Sequence, residues 1–139
     1  MTPEQKSAQD LVFLALTLWR EARGENRSAK LAVAYVVLTR VALNGWMGHD
    51  VLGVTTCPWQ FSSMTDPHDP QLTKWPSSSD LSWNECLGVA EAALGASEPN
   101  PAPTATHYHD ISIGTPKAWG NANPVAQIGR LKFFTLEAG

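Results

Sequence analysis

Two glutamates carry the clearest chemical signal in this sequence. Glu21 and Glu25 stand at the two ends of the motif Glu-Ala-Arg-Gly-Glu, directly after an apolar run that begins at Leu11. A carboxylate is costly to bury unless it is paired or protonated. A glutamate at the end of an apolar segment is therefore a candidate general acid, because a carboxyl that keeps its proton can donate it to a reacting group.

The apolar run predicts a first helix that positions Glu21. Thr2, Pro3 and Gln5 form a capping pattern at its start. Apolar residues occupy the helical spacing and also the other faces, so the middle turns are expected to be enclosed nearly all round. Gly24 is the expected stop. Glu21 then lies in the last turn, where the helix dipole and apolar surroundings both favour the protonated acid.

An ion pair is the structural alternative for Glu21. Arg20, Arg23 and Arg40 are the candidate partners, and a pair with any of them would give the glutamate a purely structural role. The helix alone leaves both roles open.

Composition limits the classes of protein. The chain has 139 residues, 10 Lys+Arg against 13 Asp+Glu and a net charge of -3. This length predicts one domain over residues 1–139. The low net charge predicts no basic surface that would bind nucleic acid or an anionic membrane. Cys57 and Cys86 are expected to be free thiols, and no metal or other cofactor is expected. The N-terminus lacks the pattern of an export signal, so folding in the cytosol is expected. The protein is also expected to be a monomer.

The rest of the chain predicts an α+β fold that is mainly helical. A second helix is expected from a Ser28 cap to Leu43, with its end at Asn44. Further expectations are a short helix over 50–56, a turn at 57–62, an exposed loop over 64–79 and a third main helix from a capping box at Ser82 to Leu94. Short β-prone pieces over 105–135 predict a small hairpin or sheet.

Five short motifs, taken in order, resemble the SleB-like cell-wall hydrolase family of spore-cortex lytic enzymes and phage endolysins. They occupy residues 21–25, 32–41, 57–62 (Cys-Pro-Trp-Gln-Phe-Ser), 105–109 (Ala-Thr-His-Tyr-His) and 128–129 with Phe133. The resemblance implies a lysozyme-like domain that cleaves the β-1,4 bond between N-acetylmuramic acid (MurNAc) and N-acetylglucosamine (GlcNAc) in peptidoglycan. It also implies one essential glutamate, at the position of Glu21.

The number of carboxylates bears on the mechanism. Glycosidases that add water generally use two, about 5 to 9.5 Å apart. Besides Glu25, the candidates for a second are Asp66, Asp69 and Asp110, none of them compelling. Lytic transglycosylases need one carboxyl, because the substrate's own groups attack the sugar carbon. Formation of a 1,6-anhydro product is therefore favoured, with a muramidase as the alternative.

The polar residues of the matching motifs are the expected substrate contacts. These are Glu25, Gln60, Ser62, His107 and Tyr108. His107 and His109 should share one face of a strand, with Tyr108 on the other. A metal on the two histidines would lack an evident third ligand, so hydrogen-bonded loop histidines are the simpler interpretation.

Three positions depart from the family pattern. Thr39 replaces a usual Asn, and at the C-terminal motif Leu131 and Phe134 replace a usual His and Tyr, so a drier cleft floor or different subsite contacts are expected there. The expected role is an endolysin that gathers in the host bacterial cytoplasm and acts on peptidoglycan in the periplasm. A non-catalytic glycan-binding or phage assembly protein is the competing class.

Overall fold

A computed structural model describes residues 1–136, which form helices and one antiparallel sheet. The helices are α1 (Pro3–Ala22), α2 (Arg27–Leu43), α3 (Val51–Thr55), α4 (Ser62–Thr65) and α5 (Leu81–Leu94), with short 3-10 helices at Pro70–Thr73 and Lys117–Trp119. The strands are β1 (His107–Asp110), β2 (Ala126–Ile128) and β3 (Leu131–Phe134). The predicted α+β, mainly helical class is confirmed. None of the helices described over residues 1–136 is both long and apolar enough to cross a bilayer.

Helix α1 forms as its sequence predicts. The Thr2 hydroxyl accepts from the Gln5 backbone N–H, and the Gln5 side chain accepts from the Thr2 N–H at 2.8 Å. Every residue from Leu14 to Arg20 is buried, whereas Val12 is 46% exposed, so the enclosed part of α1 is its C-terminal half and not the predicted middle turns. The helix ends at Ala22, so Glu21 lies in the last turn.

The start of α2 differs from the prediction. Asn26, and not Ser28, is the N-cap, because its side chain accepts from the Ala29 N–H at 2.8 Å. The predicted end is confirmed at Asn44, whose left-handed φ of 54° lets its N–H reach carbonyls of the last turn. Helices α1 and α2 contact each other and share one core with α5.

The start of α5 is also corrected. Asp80 is the N-cap in place of Ser82, because one carboxylate oxygen accepts from the Trp83 N–H and the other from Trp19 Nε1 at 3.1 Å. One side chain therefore caps α5 and ties it to α1. Cys86 and Cys57 are both free, as predicted. Burial raises the pKa of the Cys86 thiol to about 11, which makes it unreactive.

The segment 64–79 is more ordered than the predicted exposed loop. It holds the end of α4 and the 3-10 helix Pro70–Thr73, which is capped by Asp69. Arg20, buried in α1, donates to the Ser63 carbonyl at 3.3 Å and to the Lys74 carbonyl at 3.2 Å. The side chains of the segment are mostly exposed while its backbone is anchored to α1.

The predicted small sheet is confirmed, with strand order β1-β3-β2 and antiparallel pairing throughout. Tyr108 pairs with Phe133, which is fully buried in the helical core. Gly129 makes the tight β2–β3 turn possible with a φ of 56°. A Cβ at this position would lie 3.0 Å from Asn26 Nδ2, so the turn packs closely on the cap of α2.

Candidate active site

Glu21 lies on the wall of a cleft between the helices and the sheet. The cleft has a volume of about 370 Å³ and is lined by residues from α1, α2, the loops after them and β1: Glu21, Arg40, Trp46, Trp59, Gln60, Phe61, His107, Tyr108 and Trp119. Glu21 itself is half-buried. A glutamate at the end of a buried helix thus reaches a space that a ligand can enter.

The Glu21 carboxyl is oriented by a residue from the opposite wall. The Tyr108 hydroxyl donates to Glu21 Oε1 at 2.9 Å, and the Tyr108 ring packs against Phe133 with 5.8 Å between centroids. Burial and the neighbouring Glu21 charge raise the pKa of Tyr108 well above its ordinary value. The tyrosine therefore remains a hydrogen-bond donor, and it fixes one carboxyl oxygen of Glu21.

The ion-pair alternative for Glu21 is wrong. Across residues 1–136, Glu21 forms no ion pair. Arg20 binds the 63–74 backbone, and Arg23 donates to the Trp19 carbonyl and to Gln71 Oε1. Both arginines are thus used elsewhere, on the side of α1 that faces the 63–75 segment.

Arg40 has a different structural role. It is 4% exposed, and burial lowers the pKa of its guanidinium. Its Nε donates to the Thr106 carbonyl at 2.8 Å and its Nη1 to Gln60 Oε1 at 3.3 Å, while the cation lies 5.1 Å from the Phe61 ring centroid. Arg40 therefore joins α2, the 57–62 turn and the start of β1. Residue type and spacing did not predict this role, although Arg40 stands inside one of the matching motifs.

His107 adds a neutral polar group to the cleft. Its Nδ1 is 2.8 Å from the Thr106 hydroxyl, and its ring meets Trp119 edge-on at 5.3 Å. Burial, with a smaller effect of the Arg40 charge, lowers the pKa of His107 to about 4. The imidazole is therefore uncharged at neutral pH, so it can exchange hydrogen bonds with a sugar without adding charge.

His109 is a structural residue. It is 6% exposed, its Nδ1 lies 2.8 Å from the Asp110 carbonyl and its Nε2 lies 3.2 Å from the Thr115 hydroxyl. His107 and His109 both contact Trp119, whereas Tyr108 contacts Phe133, so the predicted alternation along β1 is confirmed. Within residues 1–136 there is no group of three or more His, Cys, Asp or Glu side chains that could hold a metal.

Two predicted substrate contacts lie outside the cleft, whereas Gln60 lines it. Helix α4 begins at Ser62, whose hydroxyl donates to Asp69 Oδ2 at 2.6 Å and which lines a neighbouring cavity. Glu25 lies in the loop between α1 and α2, with Oε1 3.8 Å from the Cβ position of Gly129. Because α1 ends at Ala22, Glu25 is not on the helical face that carries Glu21.

Tryptophans form much of the remaining lining, and residue patterns did not single them out. Trp46 is 58% exposed and Trp59 is 93% exposed at the cleft, where Trp119 is the third. The available signal was their number, six in 139 residues. Trp46 and Trp59 lie outside the helices and strands, and Trp119 ends a three-residue 3-10 helix, so helical or strand periodicity could not assign their exposure.

Comparison with known proteins identifies the family. The model of the cell wall hydrolase family matches residues 24–134. The chain belongs to the cell wall hydrolase family. The match begins three residues after Glu21 and contains Arg40, Gln60, His107 and Tyr108. Membership confirms the predicted family and assigns the protein to the enzymes that degrade bacterial cell walls.

Solved structures of similar fold include two SleB catalytic domains. That of Bacillus cereus SleB shares 24% sequence identity, with a TM-score of 0.73 over 96% of this chain and 95% of that chain. That of the germination-specific lytic transglycosylase SleB from Bacillus anthracis also shares 24% identity, with a TM-score of 0.73 over 96% and 100% of the two chains. At this identity the likeness shows a common fold. A search of curated proteins found no match.

We expect His107 to make the cell wall hydrolase less stable in mild acid. Its folded-state pKa of about 4 lies below the ordinary value of 6.5, so between these values the unfolded chain binds the proton more readily. The stability that His107 contributes is complete above about pH 6.5 and is lost as the pH falls towards 4. An NMR titration of the imidazole should give the low pKa directly.

A matched pair of variants checks this assignment. His107→Asn should flatten the decrease in Tm between pH 6.5 and 4.5, whereas His68→Asn should not, because the His68 side chain is 93% exposed. An imidazole of His107 that titrates with an ordinary pKa would contradict the prediction.

Proposed function

We propose that this cell wall hydrolase cleaves the MurNAc–GlcNAc β-1,4 bond of peptidoglycan glycan strands as a lytic transglycosylase, with Glu21 as its one catalytic carboxyl. The observation that carries the proposal is the composition of the cleft. Glu21 is the only carboxylate among the described residues that line it, and it is free of ion pairs there. A cleft with one available acid suits a reaction that needs one.

The first step uses Glu21 as a general acid. Tyr108 binds Oε1, and Oε2 has no hydrogen-bond partner among residues 1–136, which leaves it available to carry the proton. The proton passes to the glycosidic oxygen, the bond to C1 of MurNAc breaks, and its electron pair stays with the departing GlcNAc oxygen. The acetamido oxygen of MurNAc can stabilise the positive charge at C1 by bonding to it.

The second step returns the proton. The Glu21 carboxylate removes the proton of the MurNAc C6 hydroxyl, whose oxygen attacks C1 and closes a 1,6-anhydro ring. Glu21 regains its acid form, and no water is consumed. The buried Arg40 guanidinium lines the same cleft and adds one positive charge to it.

The other carboxylates are engaged elsewhere, which argues against the muramidase alternative. Asp110 accepts from Arg130 at 3.1 Å and from the Ser112 N–H at 2.8 Å. Asp66 accepts from the His68 N–H, and Asp69 accepts from Ser62 and from the Gln71 N–H. None of these aspartates lines the cleft of Glu21, so none is available there to activate water.

The neutral groups of the cleft suit a polysaccharide. Gln60 Oε1 is held by Arg40, which leaves the Gln60 amide N–H groups to donate to an acetamido carbonyl. The rings of Trp46 and Trp119 offer apolar faces to sugar rings. The proposed reaction invokes side chains of one chain only, so it requires no partner subunit and is proposed for a monomer.

Replacement of the acid tests the reaction. Glu21→Gln should retain the Tm of the wild type but lower the rate of glycan release from purified sacculi by about 10²–10⁴-fold, because the amide cannot donate the catalytic proton. Mass spectrometry of the wild-type digest should give anhydro products, which are one water lighter than reducing-end products. An active Glu21→Gln variant would favour the glycan-binding or assembly alternative, and reducing-end products would identify a muramidase.

Removal of one hydroxyl tests the orientation of the acid. Tyr108→Phe keeps the ring on Phe133 but frees Glu21 Oε1, so we expect kcat to fall about 10–100-fold with a smaller change in KM. Tyr35→Phe is the matched control, because its hydroxyl binds the Glu98 carbonyl and not a cleft residue. Equal rates for the two variants would exclude an orienting role for Tyr108.

The proposed cellular role is that of an endolysin, which accumulates in the host bacterial cytoplasm and degrades peptidoglycan after the inner membrane opens. A fold whose two cysteines are both free, one of them buried, needs no oxidation and suits synthesis in a reducing cytosol. Cells of a Gram-negative host that express the chain should lyse only after chloroform permeabilises the inner membrane, and cells that express Glu21→Gln should not lyse. Lysis without chloroform, or none with it, would contradict this role.

A further inference from the structure

A second cavity adjoins the catalytic cleft. It has a volume of about 680 Å³ and shares two lining residues, Trp59 and Gln60, with the cleft of Glu21. Pro58, Ser62, Asp66 and Pro67 are among its other lining residues. Because Trp59 and Gln60 line both, the cleft and the cavity lie side by side with these two residues between them, and together they are called the groove. The volume of the second cavity alone lies in the range of about 300–1,000 Å³ that is typical of ligand sites.

Trp59 has an unfavourable conformation in this groove. Its φ is 67°, in the left-handed region where a bulky residue is a genuine outlier. Its side chain is also exposed to solvent, because 93% of the residue is accessible. Its ring takes part in none of the aromatic or cation–π contacts found within residues 1–136.

Neither the strained backbone nor the exposed ring stabilises the fold. Glycine would relieve the backbone, and a small polar residue would remove the apolar surface from water. Strained conformations of this kind cluster at ligand sites. A ligand that covers the ring would recover free energy from the indole surface.

We infer that Trp59 is a stacking platform for a sugar of the glycan strand, in a subsite that extends from the Glu21 cleft into the second cavity. This inference rests on the proposed function. A strand longer than the cleft must leave it, and a strand that leaves over Trp59 and Gln60 reaches the cavity. A pyranose ring has an apolar C–H face and a rim of hydroxyls. The apolar face of the sugar can pack against Trp59, Pro58 and Pro67. The sugar hydroxyls can form hydrogen bonds with the side-chain oxygens of Ser62 and Asp66.

A binding experiment tests the subsite without requiring cleavage. Peptide-free glycan strands, prepared from sacculi with an amidase and sorted by length, are titrated by calorimetry into Glu21→Gln protein. Adding Trp59→Ala to that protein should weaken binding of long strands about 10-fold, because the stacking surface is lost. The effect should shrink as the strands shorten. Trp75→Ala is the matched control and should not weaken binding, because Trp75 is 71% exposed but lines neither the cleft nor the cavity.

A thermal-unfolding experiment tests whether the backbone at Trp59 is strained. Trp59→Gly and Trp59→Ala both remove the ring, but only glycine adopts the φ of 67° without strain. We therefore expect a higher Tm for Trp59→Gly than for Trp59→Ala, with equally weakened binding. A lower Tm for Trp59→Gly would overturn the argument from strain.

The outcomes separate this inference from the proposed function. If wild-type protein cleaves strands but Trp59→Ala leaves the affinity of the Glu21→Gln protein unchanged, the subsite is wrong and the reaction stands. If no strand is cleaved but binding depends on Trp59, the reaction is wrong and the glycan site stands. Dependence on Trp59 for strands that carry stem peptides, and not for peptide-free strands, would assign the cavity to peptide and overturn the inference.

Discussion

The buried charge of Arg40 is the constraint on which the cleft depends. A guanidinium inside a protein must have its hydrogen-bond donors satisfied. Arg40 donates to the Thr106 carbonyl, which precedes β1, and to Gln60 in the 57–62 turn. It therefore fixes two loops against α2. Because Thr106 is held, β1 begins where Tyr108 can reach Glu21, 87 residues earlier in the chain.

The same charge shapes the electrostatics of the site. Together with burial it keeps His107 neutral, and burial with the Glu21 charge keeps Tyr108 protonated. Two neighbours of the acid are thus held in fixed protonation states. The proposed reaction, in which Glu21 gives and regains one proton, would benefit from such neighbours, because they neither take that proton nor compete to supply it.

The groove also contains features that are unfavourable for the stability of the fold. Helices α1, α2 and α5 pack with capped ends and a continuous apolar core. The groove, in contrast, exposes Trp46 and Trp59 to water and holds Trp59 at a positive φ. Ala96 and Thr104 also have a positive φ outside the groove, but within residues 1–136 only Trp59 combines a positive φ with a large and almost fully exposed side chain. That combination is expected where a surface is shaped for a ligand.

The sequence by itself determined the main helices, the small sheet and the family, and it predicted Glu21 as the candidate acid. Caps such as Thr2 with Gln5, and the apolar spacing of α1, are local patterns that act within a few residues. The caps Asn26 and Asp80 were missed by two residues, because several polar side chains compete near a helix start and tertiary contacts, such as that of Asp80 with Trp19, decide between them. Only the tertiary structure decided that Tyr108 orients Glu21, that Arg40 supports the cleft, and that Glu25 and Ser62 lie outside it. Those contacts join residues that are distant along the chain, and their geometry depends on how the helices and the sheet pack together.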